Sequence, residues 1–121
     1  MTVFDSSALL AYLFEEPGAD TIRQRLLGHG SCSAANWAEV AQKSIDKGLN
    51  WAETRLLLFS FGLTVEPVTV ADAELAARLW QADSSLSLAD RICLALGARL
   101  DADILTCDKQ WSDLPGVVLV R

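Results

Sequence analysis

The sequence predicts an α/β fold, a mostly parallel sheet covered by helices on both faces. Three observations lead there. Short runs such as Thr2-Val3-Phe4 and Ile104-Leu105-Thr106 are almost continuously apolar, as strands buried on both sides are. They alternate along the chain with segments whose apolar residues recur at helical spacing. Finally, 121 residues with 51% hydrophobic side chains match the size and apolar content of one compact domain, residues 1–121.

Thr2-Val3-Phe4 reads as a first strand that ends at Asp5. Ser6 to Phe14 follows as a helix carried by Leu9, Leu10, Leu13 and Phe14, with Pro17-Gly18 punctuating it. A second helix fits Ala19 to Leu27, a short strand fits Ser31 to Ser33, and a third helix fits Trp37 to Lys47, stopped by Gly48. Trp51 to Phe61 forms a fourth helix ending at Gly62, and Leu63 to Val68 alternates like a strand. Ala71 to Ala82 and Ser87 to Leu100 are further helices, the second tolerating Gly97 at a cost of about 1 kcal/mol relative to Ala. Ile104 to Thr106 and Val117 to Val120 complete the strands.

Composition excludes several function classes. The longest unbroken apolar run, Ala8 to Phe14, is far short of the roughly 20 residues that span a bilayer, so no membrane role is expected. Met1-Thr2-Val3-Phe4 has no basic residue and does not resemble a secretory signal, which points to a cytoplasmic protein. Three cysteines, Cys32, Cys93 and Cys107, are an odd number without CxxC spacing, so neither a disulfide framework nor a zinc ribbon is expected. The single histidine lies in Gly28-His29-Gly30, a turn signal, and offers little to a histidine metal site or a Ser-His-Asp triad. Sixteen acids against ten bases give a net charge of −6, the wrong sign for holding nucleic acid by surface charge alone. Nucleic-acid chemistry here requires a metal or a partner.

Four acids stand out by position. Asp5 directly follows the first strand and Asp108 follows Ile104-Leu105-Thr106-Cys107, so adjacent parallel strands would deliver both to one sheet edge. Glu39 lies three residues after Asn36, and Asp90 three after Ser87, both in capping-box arrangements. Each acid has a plain structural use, Glu39 and Asp90 in capping boxes and Asp5 and Asp108 as N-caps. Their joint delivery to one edge is what capping does not explain.

Gathered in one pocket, each pair of carboxylates at ~5 Å and an effective dielectric of ~20 would repel by about 3 kcal/mol, so the cluster calls for cations. Hard oxygen donors without histidine or paired cysteine favour Mg2+ or Mn2+. Such ions orient a phosphodiester, lower the pKa of an attacking water and stabilise the departing oxygen. With these four set aside, 12 acids face 10 bases, leaving −2, so part of the acidity belongs to the site itself.

The chain resembles the PIN-domain family, and within it the VapC-type toxins of bacterial toxin–antitoxin pairs. The resemblance rests on Val3-Phe4-Asp5-Ser6-Ser7-Ala8-Leu9-Leu10-Ala11, Asn36-Trp37-Ala38-Glu39-Val40, Ser85-Leu86-Ser87-Leu88-Ala89-Asp90-Arg91-Ile92-Cys93-Leu94-Ala95 and Ile104-Leu105-Thr106-Cys107-Asp108-Lys109-Gln110-Trp111. Each piece is weak alone, but their order and spacing are specific. The resemblance implies an α/β/α sandwich, an acidic pocket holding Mg2+ or Mn2+ on Asp5, Glu39, Asp90 and Asp108, and endonucleolytic cleavage of RNA by metal-activated water. It also implies supporting roles for Thr106, a hydroxyl near the metal, and for Ser6, the small polar residue after the first acid. Trp111 stands where the family more often has Phe, as an aromatic plug under the last helix.

The resemblance further implies a homodimer neutralised by a small antitoxin whose C-terminal segment lies in a hydrophobic groove. Tyr12, Leu13, Phe14, Trp37, Trp51, Leu56, Leu57, Phe59 and Phe61 either pack as core or partly line such a groove. Arg91 and Lys109 adjoin proposed ligands and could hold a phosphate or balance charge, Asp113 is a spare acid nearby, and Trp37 could stack a base. Two other readings compete. One is a PIN-like RNA- or protein-binding module that does not cut. The other is an aspartyl-phosphate phosphatase with Asp5 as nucleophile, although Asp5-Ser6-Ser7 lacks the second acid that a haloacid-dehalogenase-like enzyme shows.

Overall fold

The computed structural model describes all 121 residues. Five strands alternate with six helices: β1 (Thr2–Phe4), α1 (Ser6–Leu13), α2 (Ala19–Leu27), β2 (Gly30–Ser33), α3 (Ala34–Asp46), α4 (Trp51–Ser60), β3 (Thr64–Glu66), α5 (Val70–Arg78), α6 (Leu88–Leu100), β4 (Asp103–Thr106) and β5 (Val117–Leu119), with a single 3-10 turn at Lys109–Trp111. The strands form one sheet in the order β3-β2-β1-β4-β5, every neighbouring pair parallel. The expected three-layer α/β/α sandwich is the observed architecture, its sheet wholly parallel.

Alternation along the strands divides the core in two, because successive side chains leave opposite faces. Phe4 and Leu105 join Leu9, Ile22, Leu26, Val40 and Leu58 on one side. Val3 and Ile104 join Cys93, Leu96 and Trp111 on the other. Gly97 explains itself here: a side chain at this position would run into Ile104, so only glycine lets α6 lie close on β4. Gly30 does the same beneath the ring of Phe4.

The structure moves several boundaries. α3 begins three residues early, capped by Ser33, whose hydroxyl accepts from the Asn36 amide at 3.1 Å. Asn36 is therefore inside the helix and Glu39 lies in its second turn, so the capping-box reading of that pair is wrong. β3 stops at Glu66 because Pro67 has no N–H to extend the ladder. α5 ends at Arg78 with Leu79 as its cap instead of continuing to Ala82, and Trp80, the large apolar residue just beyond, is 62% exposed, so little packing extends the helix. The box at Ser87 and Asp90 is present as expected.

A second box, Thr69 with Asp72, opens α5, and Asp72 is 4% exposed. Burial alone would raise its pKa, yet hydrogen bonds from Arg99 and Thr69 and the Arg99 charge hold it below the ordinary carboxylate value. Arg99 Nε donates to both oxygens at 3.0 and 3.2 Å, tying α6 to the start of α5. Arg99→Ala is expected to destabilise the fold by about 1–2 kcal/mol in urea titration at neutral pH, discounted for the guanidinium's partial exposure. The sign follows from linkage. Asp72's contribution is present above its unfolded pKa and is lost as pH falls through the lower folded value, so wild type and variant should converge in acid.

Candidate active site

Strand order reverses at β1, with β2 on one flank and β4 on the other, so the crevice beyond the carboxyl ends of β1 and β4 is where α/β sheets bind ligands. Asp5 stands there as the N-cap of α1, accepting from the Ala8 amide at 2.9 Å. It is only 3% exposed. Ser7 Oγ donates to its Oδ1 at 2.6 Å and Thr106 Oγ1 to its Oδ2 at 2.7 Å. Burial pushes the Asp5 carboxyl above the ordinary range, the bonds from Ser7, Thr106 and Ala8 pull back, and the charge of Asp90 adds to the rise.

The two hydroxyls are themselves anchored. Ser7 Oγ accepts from the Cys107 amide at 3.0 Å and Thr106 Oγ1 from the Asp108 amide at 3.0 Å, so the loop after β4 is stitched to the start of α1 through Asp5. Asp108 caps the 3-10 turn, its Oδ1 accepting from Gln110 N at 2.9 Å. Glu39 reaches in from α3, its Oε1 accepting from Ser6 Oγ at 3.0 Å and from Asn36 Nδ2 at 3.3 Å. Asp90 caps α6 with Oδ2 on the Ser87 amide at 2.9 Å. Burial raises the Asp90 carboxyl against its Ser87 bonds, and the charges of Glu39 and Asp108 raise it further.

The fold thus couples all four acids electrostatically. Oε2 of Glu39, Oδ1 of Asp90 and Oδ2 of Asp108 have no hydrogen-bond partner within the protein. None of the four is ion-paired, since the molecule's salt bridges join Arg25 to Asp103, Arg78 to Glu74, Arg99 to Glu66 and Asp72, and Arg121 to Glu16. No three of the acids stand close enough to grip one ion with the side chains as they lie. A small hard cation held by one or two carboxylates and completed by water fits this donor set.

Other expected contributors are placed as follows. Thr106 and Ser6 adjoin the acids, Thr106 serving Asp5 and Ser6 serving Glu39. Arg91 turns away: its Nη1 donates to the Ala76 carbonyl at 2.8 Å and its Nε is buried without a partner, so it secures α5 against α6 and does not balance the acids. Lys109 and Asp113 are exposed. Trp37 meets Trp51 edge-on with centroids 5.2 Å apart and lies tilted against Phe59 at 5.1 Å, which is packing. Trp111 is 1% exposed beneath α6. The three cysteines are free and buried, and burial pushes each thiol up. His29 sits in a left-handed turn at φ 61°.

Sequence reading missed Ser7, Ser33 and Asn36 as site residues. Asn36 is fully buried, bound between Ser33 and Glu39. A polar residue repeated after an N-cap acid was the available signal for Ser7. None existed for Ser33, whose role depends on where α3 begins.

A parallel α/β sheet whose switch point carries carboxylates outside every salt bridge defines the class: an α/β protein with an acidic sheet edge. The model of the PIN domain matches residues 2–117, and the chain belongs to that family. Solved structures agree in fold. A toxin–antitoxin complex from Klebsiella pneumoniae is 24% identical, with a TM-score of 0.79 over 100% of this chain and 98% of that one. Mycobacterium tuberculosis VapC20, described as a sarcin-ricin loop cleaving toxin, is 15% identical with a TM-score of 0.75 over 95% of each chain. VapBC2 from Rickettsia felis, bound to a DNA fragment from its promoter, is 15% identical with a TM-score of 0.67 over 98% of this chain and 96% of that one. No curated protein matches the sequence. No helix is long and apolar enough to cross a membrane.

Proposed function

We propose that the chain is a divalent-metal-dependent endoribonuclease that acts as the toxin of a toxin–antitoxin pair in the cytoplasm. The observation that carries this is the cluster of four carboxylates at the switch point, electrostatically coupled yet without one basic partner. Asp5, Glu39, Asp90 and Asp108 are the residues proposed to hold Mg2+ or Mn2+, and Thr106 and Ser6 to hold Asp5 and Glu39 in place. When bound, the ion would polarise a phosphodiester oxygen and lower the pKa of water. Asp90 and Asp108, half-exposed at the mouth, are suited to orient that water, while buried Asp5 anchors the charge.

The partner reading is a cognate antitoxin and a second copy of the chain. Its support is an apolar surface in which Tyr12, Leu13, Phe14, Trp37, Trp51 and Phe61 are only half-buried and Leu56 and Leu57 are exposed, 66% and 43%. Arg55 covers Phe59 at 4.7 Å. The toxin–antitoxin complexes among the similar structures support the antitoxin part of this reading.

One observation favours a module that binds without cutting: the acids do not converge on one ion as they lie. The phosphatase alternative is disfavoured, because Asp5 is buried and hydrogen-bonded at both oxygens, a poor position for in-line attack on phosphorus. The deciding experiment expresses the intact chain and its Asp5→Asn variant in bacterial cells and maps newly formed RNA 5′ ends. Discrete ends with the intact chain alone are expected. The same new ends from both proteins would sink the assignment of Asp5, and no new ends from the intact chain would count against the nuclease reading.

A further inference from the structure

We infer that Ser7 is a positioning residue that makes Asp5 a one-oxygen ligand and so sets the pocket's preference for small divalent cations over Ca2+. The inference rests on the metal reading above and concerns how this chain presents its first acid.

Asp5 Oδ1 accepts two bonds, from Ser7 Oγ at 2.6 Å and from the Ala8 amide at 2.9 Å. A carboxylate oxygen has two lone pairs, so Oδ1 is saturated. Oδ2 accepts from Thr106 Oγ1 alone and keeps one lone pair. Asp5 can therefore offer a cation Oδ2 only. Ser7 Oγ is held by the Cys107 amide at 3.0 Å, and of the two acceptors its proton can reach, Asp5 Oδ1 at 2.6 Å is much nearer than Thr106 Oγ1 at 3.3 Å. The Ala8 bond is part of the helix cap and the Ser7 bond is not, so Ser7 is the contact that substitution can remove without unmaking α1.

The chemical consequence concerns coordination number. Ca2+ takes six to eight oxygens and readily uses bidentate carboxylates, whereas Mg2+ demands near-octahedral geometry with short bonds and keeps several waters. A pocket whose buried acid supplies one oxygen suits the second kind. The same pattern recurs at Glu39, where Ser6 and Asn36 both bond Oε1 and leave Oε2 open.

The test uses the full chain with Mn2+ and Ca2+ as probes, in titration calorimetry of wild type, Ser7→Ala and Ser7→Thr. Wild type is expected to bind Mn2+ more tightly than Ca2+. Ser7→Ala is expected to lower Mn2+ affinity by about tenfold, the low end of the effects of removing a hydrogen bond to a metal ligand, and Ca2+ affinity by less, so that the Mn2+ to Ca2+ ratio falls. Ser7→Thr, which keeps the hydroxyl, is expected to restore the ratio. An unchanged ratio in a folded Ser7→Ala protein overturns the inference and leaves the metal reading standing. Absence of Mn2+ binding by wild type overturns both. Should Ser7→Ala not fold by circular dichroism, Ser7→Cys, a weaker donor of similar size, takes its place under the same criterion.

Discussion

Asp5→Asn is expected to lower kcat/KM for RNA cleavage by about a thousandfold, since several kcal/mol of metal-borne charge stabilisation are lost and each ~1.4 kcal/mol is tenfold. The variant should nevertheless fold. An amide fits the same bonds: its oxygen can accept from Ser7 and Ala8, and its nitrogen can donate to Thr106 Oγ1, which has a second lone pair beside the one on the Asp108 amide. Burial already holds the Asp5 carboxyl above its ordinary pKa. A carboxylate so raised loses stability as pH climbs from its unfolded value through its higher folded value, so the neutral amide should leave the metal-free protein at least as stable at pH 7. Thermal melts provide the control. Added Mg2+ or Mn2+ should raise the wild-type Tm by mass action and leave the Asp5→Asn Tm almost unmoved. A variant that loses cleavage because it is unfolded would show neither behaviour.

Trp111→Ala is expected to destabilise the protein by about 3–5 kcal/mol in denaturant titration, the range for removing a fully buried large aromatic. Trp111 is among the largest fully buried side chains and fills the space between Cys93 and Leu96 of α6 and Val3 and Ile104 of the sheet. The loss reaches the site. Trp111 N bonds the Asp108 carbonyl at 3.1 Å, so the ring anchors the turn that carries Asp108. Mn2+ affinity should therefore fall along with stability. Trp111→Phe is the informative contrast. The indole Nε1 is buried without a partner, so Phe removes an unsatisfied donor while giving up some volume, and its net cost should stay below about 1.5 kcal/mol. Equal destabilisation by Phe and Ala would mean that a phenyl ring recovers none of the packing and that the whole indole shape is needed to fill the space.

Much of this architecture was legible in residue order because the signals were local. Asp5 after Phe4 and Asp108 after Thr106 could be placed at strand ends from apolar runs alone, and Ser87 with Asp90 announced its capping box by spacing. Glu39 joins the others by a route its sequence neighbours do not indicate. Its expected capping box with Asn36 does not exist, and it reaches the pocket from the second turn of a helix that Ser33 starts earlier. Sequence adjacency to Asp90 offers Arg91 as a phosphate holder, yet neighbours on a helix do not face the same way, and its guanidinium goes to Ala76.

Periodicity and strand-end position by themselves determined the α/β class and the acids at strand ends, since both depend on neighbours a few residues apart. Only the tertiary structure decided how those acids are held. The bonds from Thr106 to Asp5 and from Ser6 to Glu39 span 101 and 33 residues, and the Cys107 amide meets Ser7 across 100. No local pattern encodes such pairs, because they exist only where the sheet order brings the ends of β4 and β2 beside the end of β1.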